Sequence, residues 1–534
     1  MKTSQFVLSA LAAAASLSVL TGLQSCSVDE KSLDRQNVTV NGREYPSSSF
    51  VQGMVRIKVT EQMFAQFDPL ASAGQTAATG VKSVDNALSA LGSARITRTF
   101  PDAGQYEARH RKAGLHLWFD ITFDETTPLS KAGDELSGIG GVQYLEYEPR
   151  IVLIGGDAPI VPVDPSSVGR GRNQAALPFN DPMLQDQWHY DNDGSKDGSK
   201  PGADIDVFKV WERRTTGNDD VIVAVVDGGI DYAHEDLSAN MWHNQEPGLS
   251  ADQIYGYNFC TSSYIINPHD HGTHVAGTVG AVNNNGIGVS GVAGGDYAAG
   301  IPGVRLMSCQ IFDYDEKGEE YGAAGRLAIV WAADHGAVIA QNSWGYSFET
   351  DADRYAFETP QADKDAFDYF TEYAGMETDA DGNIIGQSGP MAGGLVIFAA
   401  GNDTRDIGYP GDYETCLAVT SIAADYQPAY YTNFGDWTDI ISPGGDYYKN
   451  QQVLSTLPGN NYGEMQGTSM ACPHVSGVAA LLVSEFGGPG FTSDDLRELL
   501  LSGARDITEY NQRTDLGIGL VDAARSFALR STVA

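Results

Sequence analysis

Five near-continuous apolar runs, each ending in polar or glycine residues, constrain the fold of this chain more than any other feature. They read VIVAVVDGG, VRLMSCQIFD, AVIAQNSWG, LVIFAAGN and CLAVTSIAA. Strands that are apolar throughout are buried on both faces, as in a parallel sheet covered by helices. Helical stretches such as YGAAGRLAIVWAADHG lie between them. The pattern therefore predicts an α/β domain with a doubly wound, mostly parallel sheet over residues 178–534.

A second pattern precedes this domain, over residues 46–155. MVRIKV alternates as a strand with one buried face, and SVDNALSAL and PLSKAGDELSGI carry apolar residues at helical spacing. The order strand, helix, strand, strand, helix, strand predicts a small ferredoxin-like α+β unit. Residues 156–177, with three prolines and little periodicity, are a predicted linker. The clearest strand in this unit is predicted from LHLWFDITFD, in which alternate residues would form one buried face. These residues are Leu115, Leu117, Phe119, Ile121 and Phe123.

Residues 1–25 have the composition of a secretory signal peptide. One early charge, Lys2, precedes a short apolar run from Phe6 to Leu23. The run leads into LQSC, which resembles the lipobox of bacterial lipoproteins, so Cys26 is the predicted lipidation site. Residues 26–45 would form a lipidated tether, and their SVDEKS stretch resembles signals for the outer surface of some Gram-negative bacteria. We expect an exported protein, anchored by lipid at the bacterial outer membrane or cell surface.

Charge and cysteine content limit the partners and leave the disulfide state open. The formal net charge is -37, and binding nucleic acid needs a basic stripe that this sequence lacks. Four further cysteines follow Cys26, and export permits three full pairings among them. Their apolar surroundings suit buried free thiols equally well. These four are Cys260, Cys309, Cys416 and Cys472.

Four polar residues stand where chemistry is expected in such a sheet, at strand ends and helix starts. Asp227 and Asn402 follow apolar runs, while His271 and Ser469 open helical stretches. Ligands of doubly wound sheets gather at the carboxyl ends of the strands. Asp, His and Ser in this chain order are the parts of a nucleophilic triad. His274, three residues after His271, has the wrong spacing for a zinc-binding HExxH motif, so a packing role is favoured for it.

Four blocks carry a resemblance to a known family. VAVVDGGIDYAHEDL, HGTHVAGT, AAGN and GTSMACPHVSGVAAL resemble the signature blocks of the subtilisin-like serine peptidases, and the resemblance covers residues 178–525. It implies a serine endopeptidase in which Ser469 attacks the substrate carbonyl, His271 is the general base and Asp227 orients the imidazole. Asn402 would donate to the oxyanion. Residues 46–155 would be the propeptide, and a cut in the 156–177 linker would separate the peptidase from its lipid anchor.

The resemblance also implies where substrate binds. The walls of the primary specificity pocket would be backbone near SWG and AAG, and its floor would be IGYPG. A glycine at position 408 would leave room for a bulky apolar or aromatic side chain, and Asp403 at the rim would also suit a basic one. A cis peptide bond before Pro410 is implied as well. The predicted pocket residues are Ser343, Trp344, Gly345, Ala399, Ala400, Gly401 and Gly408.

Calcium is the structural ion that the resemblance implies. NDP, Asp236 and VNNNGIGV resemble the tight calcium site of the family. Asp181, Asp236 and Asn285 would donate side-chain oxygens, and Val282, Ile287 and Val289 would donate backbone carbonyls, an all-oxygen set that suits calcium. An acidic insertion, 346–394, contains a second candidate loop, DADGN. It lacks the closing Glu of an EF-hand, so a solvated turn is favoured there.

Two other functions remain open at this point. One is a catalytically inactive surface binding protein on the same fold, which the intact Asp227, His271, Ser469 and Asn402 disfavour. The other is a surface adhesin that uses the acidic insertion. Labelling by a fluorophosphonate probe separates the peptidase from the inactive protein, and binding that survives loss of Ser469 would identify the adhesin.

Overall fold

The structure is a computed structural model that describes residues 37–73, 79–92, 94–154, 158–167, 177–348 and 350–531. The predicted signal peptide, Cys26 and the first part of the tether lie outside the described residues. Two units are present, joined by a segment that runs across the second one.

The N-terminal unit has the predicted ferredoxin-like arrangement. Its four-stranded antiparallel sheet has the order β4-β5-β3-β6. The buried faces of Val55 and Ile57 pack on the helices, as their alternation predicts. The strands are β1 (Asn37–Val40), β2 (Arg43–Pro46), β3 (Met54–Val59), β4 (Arg95–Arg98), β5 (Trp118–Thr122) and β6 (Val142–Glu146); the helices are α1 (Glu61–Ala73), α2 (Lys82–Ala90), α3 (Glu107–Lys112) and α4 (Leu129–Ser137).

One strand of this unit begins later than predicted. Leu115–Leu117 form a 3₁₀ turn, and the strand starts only at Trp118. Gly114 enters the turn with a φ of 74°, a left-handed conformation that suits glycine. The alternation expected to begin at Leu115 therefore applies from Phe119 onward.

The second unit is built on the predicted parallel sheet. Its order is β10-β13-β9-β15-β19-β20-β21, with β14 paired antiparallel at β13, and each neighbouring pair along the main path is parallel. All five apolar runs become strands of this sheet. The strands are β9 (Ile222–Gly228), β10 (Gly256–Asn258), β11 (Gly295–Asp296), β12 (Ile301–Pro302), β13 (Arg305–Tyr314), β14 (Glu320–Gly322), β15 (Ile339–Asn342), β16 (Trp344–Tyr346), β17 (Met376–Thr378), β18 (Ile384–Gln387), β19 (Leu395–Ala399), β20 (Cys416–Ile422), β21 (Ile440–Pro443), β22 (Val453–Leu457) and β23 (Asn461–Met465).

Helices cover both faces of the sheet, and the longest of them lies in the core. Thr468–Phe486 is apolar around its whole circumference, which is typical of a helix packed on all sides. By length and composition it could span a membrane, but most of it is buried inside this domain. The helices are α5 (Phe208–Arg213), α6 (Asp270–Gly280), α7 (Gly325–Asp334), α8 (Asp351–Arg354), α9 (Gln361–Tyr373), α10 (Thr468–Phe486), α11 (Ser493–Gly503) and α12 (Ala523–Ser531).

The described residues between the two units include two short strands. Strand β7 (Ile151–Leu153) pairs antiparallel with β16, and β8 (Val161–Val163) pairs antiparallel with β23. Strand β8 falls within the predicted linker 156–177. The prolines of the segment argued against a strand there, because proline is rare in central strands. Proline is tolerated at a sheet edge, which is where β8 lies.

The acidic insertion forms two helices and a hairpin. It contains α8 and α9, followed by the hairpin of β17 and β18. At the hairpin tip the Asp379 carboxylate accepts hydrogen bonds from the backbone N–H groups of Asp381 and Asn383. The carboxylate is thus bonded to the backbone of its own turn, which agrees with the solvated turn favoured for DADGN.

Candidate active site

Three neighbouring strands bring the predicted catalytic groups to the carboxyl edge of the sheet. Asp227 lies at the end of β9, Ser343 follows β15 and Asn402 follows β19. Strand β15 lies between β9 and β19, so these strand ends are adjacent. Helices α6 and α10 begin at the same edge and carry His271 and Ser469 in their first turns.

Asp227 and His271 form a buried hydrogen-bonded pair. The His271 Nδ1–H donates to Asp227 Oδ1 over 2.7 Å, and the Gly228 N–H donates to the same oxygen. Burial acts to lower the pKa of His271, but the charge and hydrogen bond of Asp227 outweigh it and raise that pKa. The other nitrogen, His271 Nε2, is buried and has no hydrogen-bond partner among the described residues. It is therefore free to accept a proton.

Ser469 and Asn402 both contact one backbone carbonyl of the chain itself. The Ser469 hydroxyl donates to the carbonyl oxygen of Ile154 at 2.5 Å, and Asn402 Nδ2 donates to the same oxygen at 2.9 Å. The Asn402 amide is fixed in this orientation, because its Oδ1 accepts from both the N–H and the hydroxyl of Thr468. Ser469 thus contacts the carbonyl group that a nucleophile would attack, rather than the imidazole.

A glycine keeps this contact open. Gly467 has a φ of 148°, and a Cβ there would lie 3.1 Å from Asn402 Nδ2 and 3.6 Å from the Ile154 oxygen. A larger residue would intrude between the amide and the carbonyl it holds. No role was predicted for Gly467 or Thr468, although both stand directly before Ser469 in GTSMA.

Residues before Ile154 occupy the cleft as an extended strand. Strand β7 pairs with β16 in the register Leu153 to Trp344 and Ile151 to Tyr346. The Ile154 N–H donates to the Ser343 carbonyl at 3.0 Å. The peptide group that reaches Ser469 therefore belongs to Ile154, upstream of the 156–177 linker in which a cut was expected.

A cavity of about 240 Å³ adjoins Ile154. Four of the predicted pocket residues line it, namely Gly345, Ala400, Gly401 and Gly408. Ser343 and Trp344 contact the seated strand through their backbone instead. Ala399 lies inside β19 and is not among the lining residues.

Gly408 was predicted to leave room in the pocket for a bulky substrate side chain, and this prediction is wrong. A Cβ at residue 408 would lie 2.0 Å from the indole ring of Trp437, so the space left by glycine is taken by that ring. The absent side chain therefore allows Trp437 to pack closely and does not deepen the cavity. Asp403 does line the cavity, but its carboxylate is paired with Arg354 at 2.7 Å, with which a basic substrate side chain would compete.

A second carboxylate, besides that of Asp227, acts on His271. His269, the N-cap residue of α6, accepts the His271 N–H on Nδ1 at 3.2 Å. Its Nε2–H must then donate to Glu320 on β14, at 3.1 Å. The Glu320 charge adds to that of Asp227 in raising the pKa of His271. No sequence pattern indicated this pair, because Glu320 lies far from any catalytic block.

Glu320→Gln is expected to move the acidic limb of the kcat/KM profile to lower pH. A neutral His271 is needed to accept a proton, so activity falls as pH drops below its pKa. Glutamine still accepts the His269 N–H but removes the negative charge, so that pKa falls. The other charged or titratable groups near His271 are Asp227, His269, Asp270 and His274, and none of them changes. A pH profile of peptide hydrolysis measures the effect, with the neighbouring Glu319→Gln as control; a limb that stays in place or moves to higher pH would contradict it.

The N-terminal unit docks on α7 and α9 through buried charges. Glu148 accepts a salt bridge from Arg56 of its own unit and from Arg326 of α7, which in turn pairs with Asp363 of α9 at 2.9 Å. All four side chains are buried. The Glu146 carboxylate accepts the Gln361 N–H at the start of α9, and burial raises the pKa of Glu146 to about 7.

The acidic insertion provides part of this docking surface. Asp365 of α9 pairs with Lys58 at 2.5 Å and accepts the indole N–H of Trp118 at 2.8 Å. The hairpin tip of the insertion reaches α3, where a Cβ at Gly382 would lie 2.3 Å from the Ala108 carbonyl oxygen. The insertion therefore contacts the N-terminal unit at two separate places.

The predicted calcium ligands form one buried cluster. Asp236 accepts the Asn285 side-chain N–H at 2.7 Å and the Val289 N–H at 2.9 Å. Asp181 accepts the backbone N–H of Asn285 at 3.0 Å, and its other contacts are the N–H groups of Asn284 and Gly286 and the Ser290 hydroxyl. Ile287 donates its N–H to the Asn285 side-chain oxygen, and Val282 donates its N–H to the Asp236 carbonyl.

The electrostatics of this cluster fit a cation. Burial raises the pKa of Asp181 to about 6, and burial together with the Asp181 charge raises that of Asp236 well above its usual range. Within the described part of the chain neither carboxylate is paired with a lysine or arginine. Asp181 already accepts four hydrogen bonds and shapes the loop, whereas Asp236 has fewer partners.

His274 and the four cysteines after Cys26 have structural surroundings. His274 Nε2 bonds the carbonyls of Val453 and Gly463, and burial lowers the pKa of His274 to about 3. Over the described residues no cluster of three or more His, Cys, Asp or Glu could hold a metal ion.

The cysteines at 260, 309, 416 and 472 are free thiols, so none of the three disulfide pairings forms. The Tyr409–Pro410 bond is cis, as implied.

The fold and these groups together define a class of protein. A buried Asp–His pair, and a serine that meets a carbonyl held by an amide donor at the edge of a parallel sheet, are typical of serine peptidases. The sequence profile of the subtilase family matches residues 218–521, more than half of the chain. The profile of the N-terminal domain of that family matches residues 55–194. The chain belongs to the subtilase family.

Individual relatives agree with this assignment. The thermophilic serine proteinase of Bacillus sp. (strain AK1) is 32% identical over 273 residues, which is 51% of this chain and 54% of the relative. Fervidolysin of Fervidobacterium pennivorans is 32% identical over 352 residues, 59% of this chain and 42% of the relative. This chain thus spans about half the length of these relatives.

A solved structure shows the same fold. The crystal structure of fervidolysin, described as a keratinolytic enzyme related to subtilisin, matches with a TM-score of 0.58 at 22% identity. The match covers 90% of this chain and 61% of that chain. Because the coverage includes the N-terminal unit, both units have counterparts in a known structure.

Proposed function

We propose that this chain is the proenzyme of a serine endopeptidase and that its first substrate is itself. The observation that carries the proposal is the carbonyl of Ile154, held 2.5 Å from the Ser469 hydroxyl oxygen and 2.9 Å from Asn402 Nδ2. The chain on its amino-terminal side is bound as an edge strand. The bond to be cut is the peptide bond that follows Ile154.

The chemistry follows from the positions of the groups. The Ser469 oxygen attacks the Ile154 carbonyl carbon, and its proton passes to His271 Nε2, which has no hydrogen-bond partner among the described residues. Asp227 stabilises the imidazolium, and Asn402 donates to the oxygen on which negative charge develops. His271 then returns the proton to the leaving amine, and water releases the acyl group from Ser469. The products are an N-terminal piece ending at Ile154 and a peptidase that begins at Gly155.

The same cleft supports a preference for a bulky apolar or aromatic residue before the cut bond. Ile154 occupies this position, and the cavity of about 240 Å³ beside it offers room for a larger side chain. Apolar surface buried there contributes about 25 cal/mol per Å² to binding. The proposed preference follows from the cavity next to the bound Ile154 side chain and not from the identity of residue 408.

A fluorophosphonate probe tests the function directly. The self-processed protein should be labelled, and Ser469→Ala should not be. Hydrolysis of peptides that carry the sequence of residues 151–154 should disappear in the same variant. A wild-type protein that is neither labelled nor able to cut such peptides would refute the proposal and favour the inactive binding protein.

We propose further that Asp181, Asp236 and Asn285, with the carbonyls of Val282, Ile287 and Val289, hold a calcium ion. The support is the pair of buried carboxylates with raised pKa, against which no cationic side chain lies among the described residues. When bound, calcium supplies positive charge to these carboxylates and ties the 282–289 loop to the segment that carries Asp181.

Calcium removal is expected to lower the melting temperature by about 3–5 °C. A ligand present at a hundred times its Kd stabilises the folded state by about 2.7 kcal/mol, and 1 kcal/mol shifts Tm by about 1–2 °C in a domain of roughly 350 residues, because the unfolding entropy is about 2.1 cal/mol/K per residue. Scanning fluorimetry with calcium or EGTA measures the shift. Asp236→Asn should abolish the response, whereas Asp379→Asn in the hairpin turn should keep it. A wild-type Tm that EGTA leaves unchanged would contradict the proposal.

We propose that the protein is exported. The support is the signal-like sequence of residues 1–25 together with relatives such as the extracellular basic protease of Dichelobacter nodosus, 30% identical over 387 residues. Lipid attachment at Cys26 would tether the N-terminal piece, so the cut after Ile154 would release the peptidase. Metabolic labelling with a radioactive fatty acid should mark the wild type and not Cys26→Ala, and unlabelled wild type would exclude the anchor.

A further inference from the structure

The chain beyond the seated carbonyl also has a binding partner in the peptidase domain. Residues Val161–Val163 form β8, which pairs antiparallel with β23 in the register Val161 to Glu464, Pro162 to Gly463 and Val163 to Tyr462. Strand β23 leads directly into the turn that carries Ser469. In the same register Pro159 would face Gln466, three residues before Ser469. The chain that follows Ile154 therefore runs antiparallel to β23, in the direction away from Ser469.

The backbone hydrogen bonds of this pairing can be located. Because proline has no N–H, the Pro162–Gly463 pair must be of the non-hydrogen-bonded type. The flanking pairs, Val161–Glu464 and Val163–Tyr462, then carry the bonds. The N–H of Glu464 points to β8, while the N–H of Gly463 points to β22 on the other side.

Strand β8 is suited to being replaced. It has only three paired residues, a proline at its centre, and side chains that are half-buried or exposed. Main-chain pairing at a sheet edge does not depend on the sequence of the strand that binds. A segment of another polypeptide in extended conformation could form the same bonds to β23.

We propose that the edge of β23 is a second binding site for substrate, which takes residues well beyond the cut bond, and that β8 occupies it in this chain. The proposal rests on the proposed peptidase function. The substrates it implies are unfolded or extended polypeptides that lie along β16 before the cut and along β23 after it. Short peptides would use the first strand alone. Once the bond after Ile154 is cut, β8 competes with substrate for the same edge.

Two substrates measure the contribution of β23. One internally quenched peptide spans residues 149–157, and the other spans residues 149–165 and includes the β8 sequence. With self-processed wild-type enzyme we expect kcat/KM to be about fivefold higher for the long peptide, the effect of one or two net hydrogen bonds.

Variants of β23 and β8 make the test specific. Glu464→Pro removes the N–H that points to β8 and should bring the long-to-short ratio close to one. Glu464→Ala is its matched control, because it removes only the side chain, including the salt bridge to Lys196, and should keep the wild-type ratio. Val161→Pro weakens the competing strand and should raise the ratio above that of the wild type.

The proposal fails in either of two cases. In one, the ratio stays near one in both wild type and Val161→Pro; in the other, the proline and alanine variants at 464 give the same ratio. Failure of the peptidase function is distinguishable from both, since the short peptide would then be cut no faster by wild type than by Ser469→Ala.

Discussion

Ser469→Ala is expected to leave the precursor uncut, whereas the wild-type chain cuts itself after Ile154. The only hydroxyl that contacts the Ile154 carbonyl oxygen among the described residues is that of Ser469. Loss of the serine nucleophile in subtilisin lowers kcat by about 10⁶-fold, and we expect a loss of similar size here. Refolding each protein from urea, followed by gel electrophoresis and mass spectrometry of new N-termini, measures the cut.

The expected wild-type product begins at Gly155. Ser484→Ala is the matched control, because Ser484 lies on the same helix and, among the described residues, donates only to the Ala480 carbonyl, at 2.7 Å. It should be cut like the wild type. A Ser469→Ala chain cut at the same bond would refute self-processing. A wild-type N-terminus within residues 158–176 would instead restore the expectation of a cut in the linker.

The sequence predicted those parts of the site that follow from local pattern. Asp227 and Asn402 could be found because apolar runs identify parallel strands, and such sheets place their chemistry at strand ends. Ser469 could be found because a glycine turn precedes a long apolar helix. The ferredoxin-like unit followed in the same way from its periodicities, apart from the turn at Gly114 and the helices α1 and α3, which the predicted order did not contain.

What the sequence could not predict depends on contacts between distant segments. The pairing of β7 with β16 joins residues nearly two hundred positions apart, and nothing local in IVLI marks it as a strand seated in a cleft. The reason for Gly408 failed similarly, since the direction of a missing Cβ, and the presence of Trp437 there, depend on tertiary packing. Glu320 is a third case, because its charge and its hydrogen-bonded path through His269 reach His271 only once the chain has folded.

Arg326→Met is expected to make the binding free energy between the cleaved N-terminal unit and the peptidase domain less favourable by about 3–5 kcal/mol. This corresponds to an increase of about 150- to 5000-fold in Kd. Arg326 is 3% exposed and bridges Glu148 of the N-terminal unit to Asp363 of α9. Methionine keeps the apolar stem but leaves a carboxylate buried without its cation. While the N-terminal piece stays bound, residues 151–154 block the cleft. The protein concentration below which self-processed enzyme becomes active therefore measures the dissociation, and gel filtration checks it.

Two further variants separate the buried network from charge in general. Arg305→Met breaks a surface pair with Asp219, which should contribute about 0–1 kcal/mol and leave the dissociation as in wild type. Adding Asp363→Leu to Arg326→Met should recover much of the lost affinity, because the main cost of the single change is the buried carboxylate left without a cation. If Arg326→Met dissociates at the same concentration as Arg305→Met, the buried charges do not hold the two units together. If the double variant is weaker than the single one, the Asp363 carboxylate contributes through Tyr346, whose hydroxyl donates to it at 2.9 Å.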